Sequence, residues 1–521
     1  MDRIRSRRAA SRRLISLAFV VAAAACARTT PSTPAWRLVP PWTGEGPHPT
    51  GEPTPTAIPD PVLALLPPTR EPGVAYATPT PDTSRPTPVV RSEPEYYTVQ
   101  PGDTLNQIAY RFTVGLGQVM AANGIVNPDL LSVGQLLFIP APSGRTSGPS
   151  FKVMPDSEIV YGPASTLLDV PETVAEWGGY LSRFGEEVEE RTLSGAQIVV
   201  LVAQRYSVNP RLLLAVLEHQ AHWLTRADVA PETLIYPLGY AQPRFGGLFG
   251  QLSWAADALN SVFYAWRAGW AGPFLLADGQ AVIPGAGINA GTAAVQGLFA
   301  QLYGSGAWEQ TVGESGFYQT FVELFGIPFD LAVEPVVPPD LTQPPLQLPF
   351  DGGAVWSFTG GPHSAWGVGA AWAAIDFAPP GYALGCVQSE AWVVAAADGV
   401  VLRSDQGEVI QDLDGDGLEQ TGWILMYLHV ESRDRVAEGT RLQAGDRIGH
   451  PSCEGGVSNG THLHLARRYN GEWIPADTSL PFELDGWVSA GLGREYDGTL
   501  TRGSVVLEAC ACRFPGNQIS R

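Results

Sequence analysis

The stretch Thr461-His462-Leu463-His464 is the most chemically pointed part of this 521-residue chain. On a strand, side chains alternate with a period of two, so His462 and His464 would share one face. Two imidazoles on one face suit a metal ion, and a neighbouring aspartate would add a charged oxygen ligand. Of eight histidines, four (His363, His429, His462 and His464) lie beyond Phe350 at places that could converge; His450 reads as a turn residue and His48 falls in a spacer. The elements that must position them are strands. Val393–Leu402 reads as two strands around Asp398-Gly399, and Trp423–Val430 as another, so the C-terminal part should be a compact antiparallel β-domain.

Over residues 350–485 this part resembles the lysostaphin-type (LytM) zinc metallopeptidases, in particular their beta-lytic branch. The resemblance is carried by Gly360-Gly361-Pro362-His363, Ala374-Ile375-Asp376-Phe377, Tyr427-Leu428-His429, Gly445-Asp446-Arg447-Ile448-Gly449 and Gly460-Thr461-His462-Leu463-His464. Most of that family places its first histidine ligand four residues before the aspartate, where this chain has Trp372; the beta-lytic branch uses a Gly-Gly-x-His segment, which His363 supplies. The resemblance implies a duplicated hybrid motif and one zinc ion on His363, Asp376 and His464, with His429 and His462 as the unligated catalytic pair. Three protein ligands leave a position for water, whose pKa zinc lowers towards ~7. His462 would then be the general base, and His429 would orient the water and stabilise the oxyanion. Cys386 and Cys453 flank this site, and their pairing would pin loops there; the partners of Cys510 and Cys512 stay open. Asp412-Leu413-Asp414-Gly415-Asp416-Gly417 resembles half of a calcium loop, but Trp423 stands where the bidentate glutamate belongs, so a solvated acidic hairpin is favoured over Ca2+ binding.

Upstream, Tyr97-Thr98-Val99-Gln100-Pro101-Gly102-Asp103-Thr104-Leu105 and Gly134-Gln135-Leu136-Leu137-Phe138-Ile139-Pro140 frame a segment, 96–141, that resembles a LysM domain. This implies a βααβ fold that binds N-acetylglucosamine-containing glycans such as peptidoglycan. The contacts would come from Gly102, Asp103, Thr104 and Leu105 and from the Asn127–Leu131 loop, represented by Asn127 and Leu131. Asp103 and its neighbours would also make a turn and cap a helix.

Residues 150–332 show helical patterning, and Val208–Ala221 resembles the catalytic helix of lysozyme-like lytic transglycosylases. That implies an all-α domain, but Gln220 replaces the acidic residue and Ala221 its serine partner. An amide has no proton to give a glycosidic oxygen, and Glu218 faces another direction, so the domain reads as non-catalytic. His219 and His222 do not form the zincin order and read as structural. A Pro-rich connector, 333–349, leads to the metallopeptidase domain and C-terminal extension, 350–521.

The N-terminus orders six arginines, the apolar stretch Leu14–Ala25 and Cys26. Residues 1–26 therefore read as an export signal. The Ala-Ala-Ala-Cys ending resembles the bacterial lipobox, implying lipidation of Cys26, although Ala23 stands at the usual leucine; Ser11-Arg12-Arg13 is a fragment of a twin-arginine signal. Residues 27–95, rich in Pro and Thr, read as a disordered linker between anchor and folded domains. A net charge of -20 argues against a nucleic-acid partner. The expectation is an exported cell-envelope zinc metalloendopeptidase, lipid-anchored outside the cytoplasmic membrane and acting on peptidoglycan peptides. The alternatives are a non-enzymatic activator of cell-wall amidases and a wall-binding protein.

Overall fold

The computed structural model describes residues 90–521, apart from Gly102, Trp270, Ala271 and Tyr382, and the backbone of Arg37–Leu38. The export signal, Cys26, Gly102 and most of the 27–95 linker lie outside the described residues; within that linker Arg37–Leu38 pairs with Phe184–Gly185. No helix among the described residues is long and apolar enough to cross a membrane.

The first module runs strand Glu95–Thr98, helices Leu105–Arg111 and Leu116–Asn123, and strand Leu136–Ile139, the two strands pairing antiparallel. Thr104 and Gln107 form a reciprocal capping box that starts the first helix, an arrangement worth ~1 kcal/mol. Gly124, at φ 63°, ends the second in the left-handed conformation that glycine adopts without a Cβ penalty. After this module, Ser143–Ser147 pairs parallel with Gln280–Ile283 and Gln118 donates to the Ser143 hydroxyl, so the module is stitched to the helical region.

That region is built on Gly195–Tyr206, the buried helix Pro210–Ala221, Gly247–Arg267 and Ala290–Ala300. It is not all-α. Phe184–Val188 and Arg191–Ser194 form a hairpin, and Phe274–Leu275 pairs with Gln280–Ile283. The hairpin turn is Glu189-Glu190, both with positive φ. A turn of that shape normally announces itself with Gly, Asn or Asp, so the sequence carries no signal for it.

The C-terminal region is built on a nine-stranded antiparallel sheet among the described residues, with Trp423–Leu428, Leu463–Tyr469, Ala374–Ala378 and Val355–His363 adjacent in that order, beside a four-stranded and a two-stranded sheet. The last strand, Gln518–Ser520, returns to pair with Val355–Ser357, so the extension supplies an edge strand of the sheet. Trp423–Leu428 is buried on both faces, which its unbroken apolar run requires. Leu425 and Tyr427 face the β-domain core, while Ile424 and Met426 join the core of the helical region with Ala374 and Ala466. By the same alternation Asp376 and His464 lie on the face that, farther along, packs against the helices. The connector is also packed: Leu346 and Leu348 are buried and Trp423 donates to the Thr342 carbonyl.

Buried charge crosses this seam. Arg403 pairs with Glu408 and Glu419, Arg468 reaches both Glu419 and the Gln204 carbonyl, and Arg267 pairs with Glu472. Burial works against the charge of Glu419, but Arg403 and Arg468 outweigh it and hold the carboxyl at about 2. Such a depressed carboxylate contributes stability that is fully present above its unfolded value of ~4.3 and lost as pH falls through about 2. Glu419→Gln is therefore expected to lower unfolding stability by ~3–5 kcal/mol at pH 7, because the buried Arg468 loses its counter-charge and Arg403 keeps only Glu408. Urea midpoints should show the deficit shrinking as the pH is taken towards 2.

Candidate metal centre

Three adjacent strands carry the central residues. His363 ends Val355–His363, Asp376 sits mid-strand in Ala374–Ala378, and His464 lies second in Leu463–Tyr469. Asp376 is directly opposite His464, and the pairing with Val355–His363 shifts register on either side of Asp376, a bulge that re-aims its side chain. Gly360 makes the room: a Cβ there would lie 2.6 Å from Asp376 Oδ2.

The three ligating atoms converge. His363 Nε2 lies 2.9 Å from His464 Nδ1 and 3.2 Å from Asp376 Oδ1, and His464 Nδ1 lies 3.4 Å from the same oxygen. A tetrahedral ion with ligand bonds of ~2.0–2.1 Å has ligand-to-ligand edges of about 3.3 Å. The far nitrogens are spoken for: His363 Nδ1 donates to the Gly361 carbonyl at 2.8 Å and His464 Nε2 to the Ala365 carbonyl at 3.0 Å. Both inward nitrogens thus present lone pairs, beside a buried Asp376 Oδ1 that makes no hydrogen bond. Such a triad repels itself unless a cation stands at its centre, so the donors fit zinc, each imidazole oriented by a backbone carbonyl. The electrostatics register the same demand: although burial opposes its charge, His363 is pushed above its ordinary value by Asp376. Burial likewise opposes the charge of Asp376, yet His363, His462 and His464 hold its carboxyl well below the usual range.

His429 and His462 stand beside this triad, their ring centroids 4.5 Å apart. His462 Nδ1 donates to the Gly460 carbonyl at 2.7 Å, leaving Nε2 3.8 Å from Asp376 Oδ1. His429 Nδ1 donates to the Glu454 carbonyl at 3.0 Å. Burial, then His462 and His464, push His429 down to about 3, so its imidazole is neutral at neutral pH. His429 holds φ 66°, a conformation that costs a non-glycine residue ~1–3 kcal/mol and concentrates at functional sites. A disulfide joins Cys386 to Cys453, tying loop 379–391 to the segment that leads into His462; Cys510 pairs with Cys512.

Tyr496 had no signal in the sequence. It stacks on His363 with centroids 4.2 Å apart and planes at 21°, and its backbone bonds both Pro362 and Gly361. Burial, with the charges of Asp376 and Glu495, pushes its hydroxyl up to about 12. It comes from the C-terminal hairpin, beyond the motif-bearing strands. Tyr496→Ala is expected to uncover His363 and weaken metal retention several-fold in a chelator competition, and Tyr496→Phe to preserve it.

Other candidate residues have structural employment. Glu218 accepts from the backbone N–H groups of Leu224 and Thr225 and from the Thr225 hydroxyl, so its carboxylate closes its own helix end. Gln220 accepts from the Tyr303 hydroxyl. His219 packs edge-on to Phe299 and Phe317, and burial pushes it down to about 4. His222 is the left-handed residue that ends the helix. Asp412, Asp414 and Asp416 form the second metal-capable cluster among the described residues. It is not simply a solvated hairpin, because Asp412 is fully buried and accepts from the N–H groups of Asp414, Gly415 and Gly417. In the first module, Asp103 accepts from Tyr97 and Gln100, Thr104 caps its helix, Leu105 is buried, and Asn127 accepts from the Asp129 N–H. Leu131 packs on the module core, beside the exposed Val126, Leu130 and Val133.

Family profiles match three stretches: the LysM domain over residues 97–140, the LasA N-terminal domain over 152–336 and Peptidase family M23 over 379–475. The chain thus carries a stretch that matches the LysM domain and one that matches the lysostaphin-type Peptidase family M23, and the region that resembled lysozyme-like enzymes matches the LasA N-terminal domain. The M23 match begins after His363 and Asp376, so those two positions rest on the strands that place them. Among individual proteins, the chain is similar to Protease LasA of Pseudomonas aeruginosa strain UCBPP-PA14, at 26% identity over 289 residues, covering 52% of this chain and 65% of that protein. It thus spans just under two thirds of that relative. It is also 41% identical over 63 residues to the N-acetylmuramoyl-L-alanine amidase XlyA of Bacillus subtilis strain 168, covering 12% of this chain and 21% of that one. The solved M23 metalloprotease pseudoalterin, described as from the deep sea, aligns with 34% of this chain and all of its own at 24% identity and a TM-score of 0.28.

Proposed function

We propose that the protein is an exported zinc metalloendopeptidase that hydrolyses peptide bonds of peptidoglycan, held to the wall by its LysM module and to the membrane by a lipid on Cys26. The observation that carries this reading is the convergence of His363 Nε2, His464 Nδ1 and the unbonded Asp376 Oδ1, with the paired His429 and His462 alongside. When bound, zinc supplies the Lewis acidity that acidifies water and polarises the scissile carbonyl.

The chain's own residues handle the proton. With its Nδ1–H fixed on Gly460, His462 keeps an Nε2 lone pair that takes the proton from the attacking water and returns it to the departing amine. His429 is fixed on Glu454 in the same sense, so its neutral Nε2 accepts a hydrogen bond and orients the water. That tautomer has no N–H to offer an oxyanion, so of the two roles expected of His429 the geometry supports the first. The LysM module raises the local substrate concentration without adding contacts at the site.

Amidase activation without catalysis would not need a complete set of ligands and catalytic histidines, and this chain has one. The test is to digest purified peptidoglycan with the full chain and identify products by mass. New peptide amino groups, abolished by chelator, are expected; release only when an amidase is added would support the activator reading instead.

A further inference from the structure

The ten residues between the two ligand strands, Ser364-Ala365-Trp366-Gly367-Val368-Gly369-Ala370-Ala371-Trp372-Ala373, carry no charged side chain. Within the loop, Ala365 N–H donates to the Ala371 carbonyl at 3.1 Å, Ala373 N–H to the same oxygen at 2.7 Å and the Ser364 hydroxyl to the Ala370 carbonyl at 3.4 Å; its two ends are tied to the β-region by Ser364 N–H to Glu495 and Ala476 N–H to the Trp372 carbonyl. Its base has a demanding task, since the Ala365 carbonyl is the acceptor that orients His464 at 3.0 Å. Ala365 also lies two residues after the ligand His363. Any wander of this loop moves the second contact of one ligand and the flank of another.

The helical region holds its tip. Asp257, on helix Gly247–Arg267, accepts with one oxygen from both the Val368 N–H at 2.9 Å and the Gly369 N–H at 2.8 Å. The approach is close enough that a Cβ on Gly369 would lie 2.0 Å from the Asp257 carbonyl oxygen, and one on Gly367, which has φ +65°, would lie 2.4 Å from the Asp257 carboxylate. The Trp366 ring lies 5.3 Å from the Arg205 guanidinium carbon and edge-on to Tyr206. Ala365, Ala370, Ala371 and Ala373 are buried in the core that the helices provide. The tip of the loop is thus held by a different region of the chain from the one that carries the ligands.

We infer that Asp257 is a positioning residue for the metal centre: by gripping the 364–373 loop it fixes the Ala365 carbonyl and, through it, the Nδ1 of His464. The inference rests on the reading of His363, Asp376 and His464 as metal ligands. Asp257 acts through the loop and touches neither metal nor substrate. Hydrogen bonds to a carboxylate are among the stronger ones a backbone makes, and loss of a contact that orients a ligand lowers metal affinity by ~10–100-fold. Helices outside the matched peptidase segment would then set how tightly the metal is held.

The experiment uses the full chain and zinc alone, with affinity read by competition against a chromophoric chelator and the ligand field read from the visible spectrum of the cobalt-loaded protein. Asp257→Ala is expected to weaken zinc by ~10-fold or more and to alter the cobalt spectrum. Asp257→Asn, which retains the accepting oxygen, should stay within about two-fold of the parent. If Asp257→Ala does not fold, Asp257→Glu keeps the charge but drives the acceptor into the loop, and the same weakening is expected. Unchanged zinc affinity and cobalt spectrum in the folded Ala or Glu variant would overturn the inference, as would equal damage by Asn and Ala. A parent protein that binds no zinc would instead overturn the reading of the site.

Discussion

Replacing His462 by alanine is expected to lower kcat by ~10²–10⁴-fold while leaving metal content unchanged, the range that loss of a positioned general base produces. The separation of effects follows from the geometry. His462 contributes no ligating atom; its Nε2 stands 3.8 Å from Asp376 Oδ1, and its other nitrogen is committed to Gly460. Its side chain is 17% exposed, so water reaches it while the ligand cluster below stays buried. His429 is a poor substitute. Buried beside two other imidazoles and pushed down to about 3, it is too weak a base to take the proton near neutrality. Metal analysis alongside kcat and KM on peptidoglycan checks the separation: metal loss in His462→Ala would move that residue into the ligand set.

Removing a ligand should have the larger effect. Asp376→Ala is expected to lower metal affinity by more than the ~10²-fold that outer contacts are worth, and to abolish hydrolysis at ordinary zinc concentrations. Asp376 supplies the negative charge on which the cluster is built; without it, two imidazole lone pairs face each other at 2.9 Å with nothing to hold a dication. His464→Ala should behave alike. Its neighbour His462 does not replace it, because its Nδ1 is held by the Gly460 carbonyl and its Nε2 stands 3.8 Å from Asp376 Oδ1, farther than the ligating atoms stand from one another. Equilibrium dialysis against zinc measures this loss, and retention of a stoichiometric ion by both variants would contradict the assigned ligands.

Part of the candidate site was legible in the sequence because extended backbone has a fixed period: His462-Leu463-His464 can be read as one face with no knowledge of the fold. Asp376 and His363 needed the family pattern, since nothing local says that Ala374–Ala378 pairs with Leu463–Tyr469; the register shows Asp376 facing His464. Tyr496 and Asp257 were illegible for a different reason. Each meets the site across a long sequence separation, from a hairpin and a helix whose own patterns are satisfied by ordinary packing. Trp423–Leu428 was legible as a strand, but not the helices that cover its second face. The Phe184–Val188 hairpin escaped because two glutamates take turn conformations that glutamate seldom does.

On the proposed reading, one cation on His363, Asp376 and His464 makes this chain a peptidase. The most direct measurement is to strip the full chain of metal and add zinc back in sub-stoichiometric steps, following amino-group release from peptidoglycan and bound zinc together. Activity that rises in proportion to zinc and levels off at one equivalent, and that His462→Ala lacks at the same occupancy, is the predicted result. Hydrolysis that persists in the stripped protein, or zinc that binds at one equivalent without any hydrolysis, would contradict it.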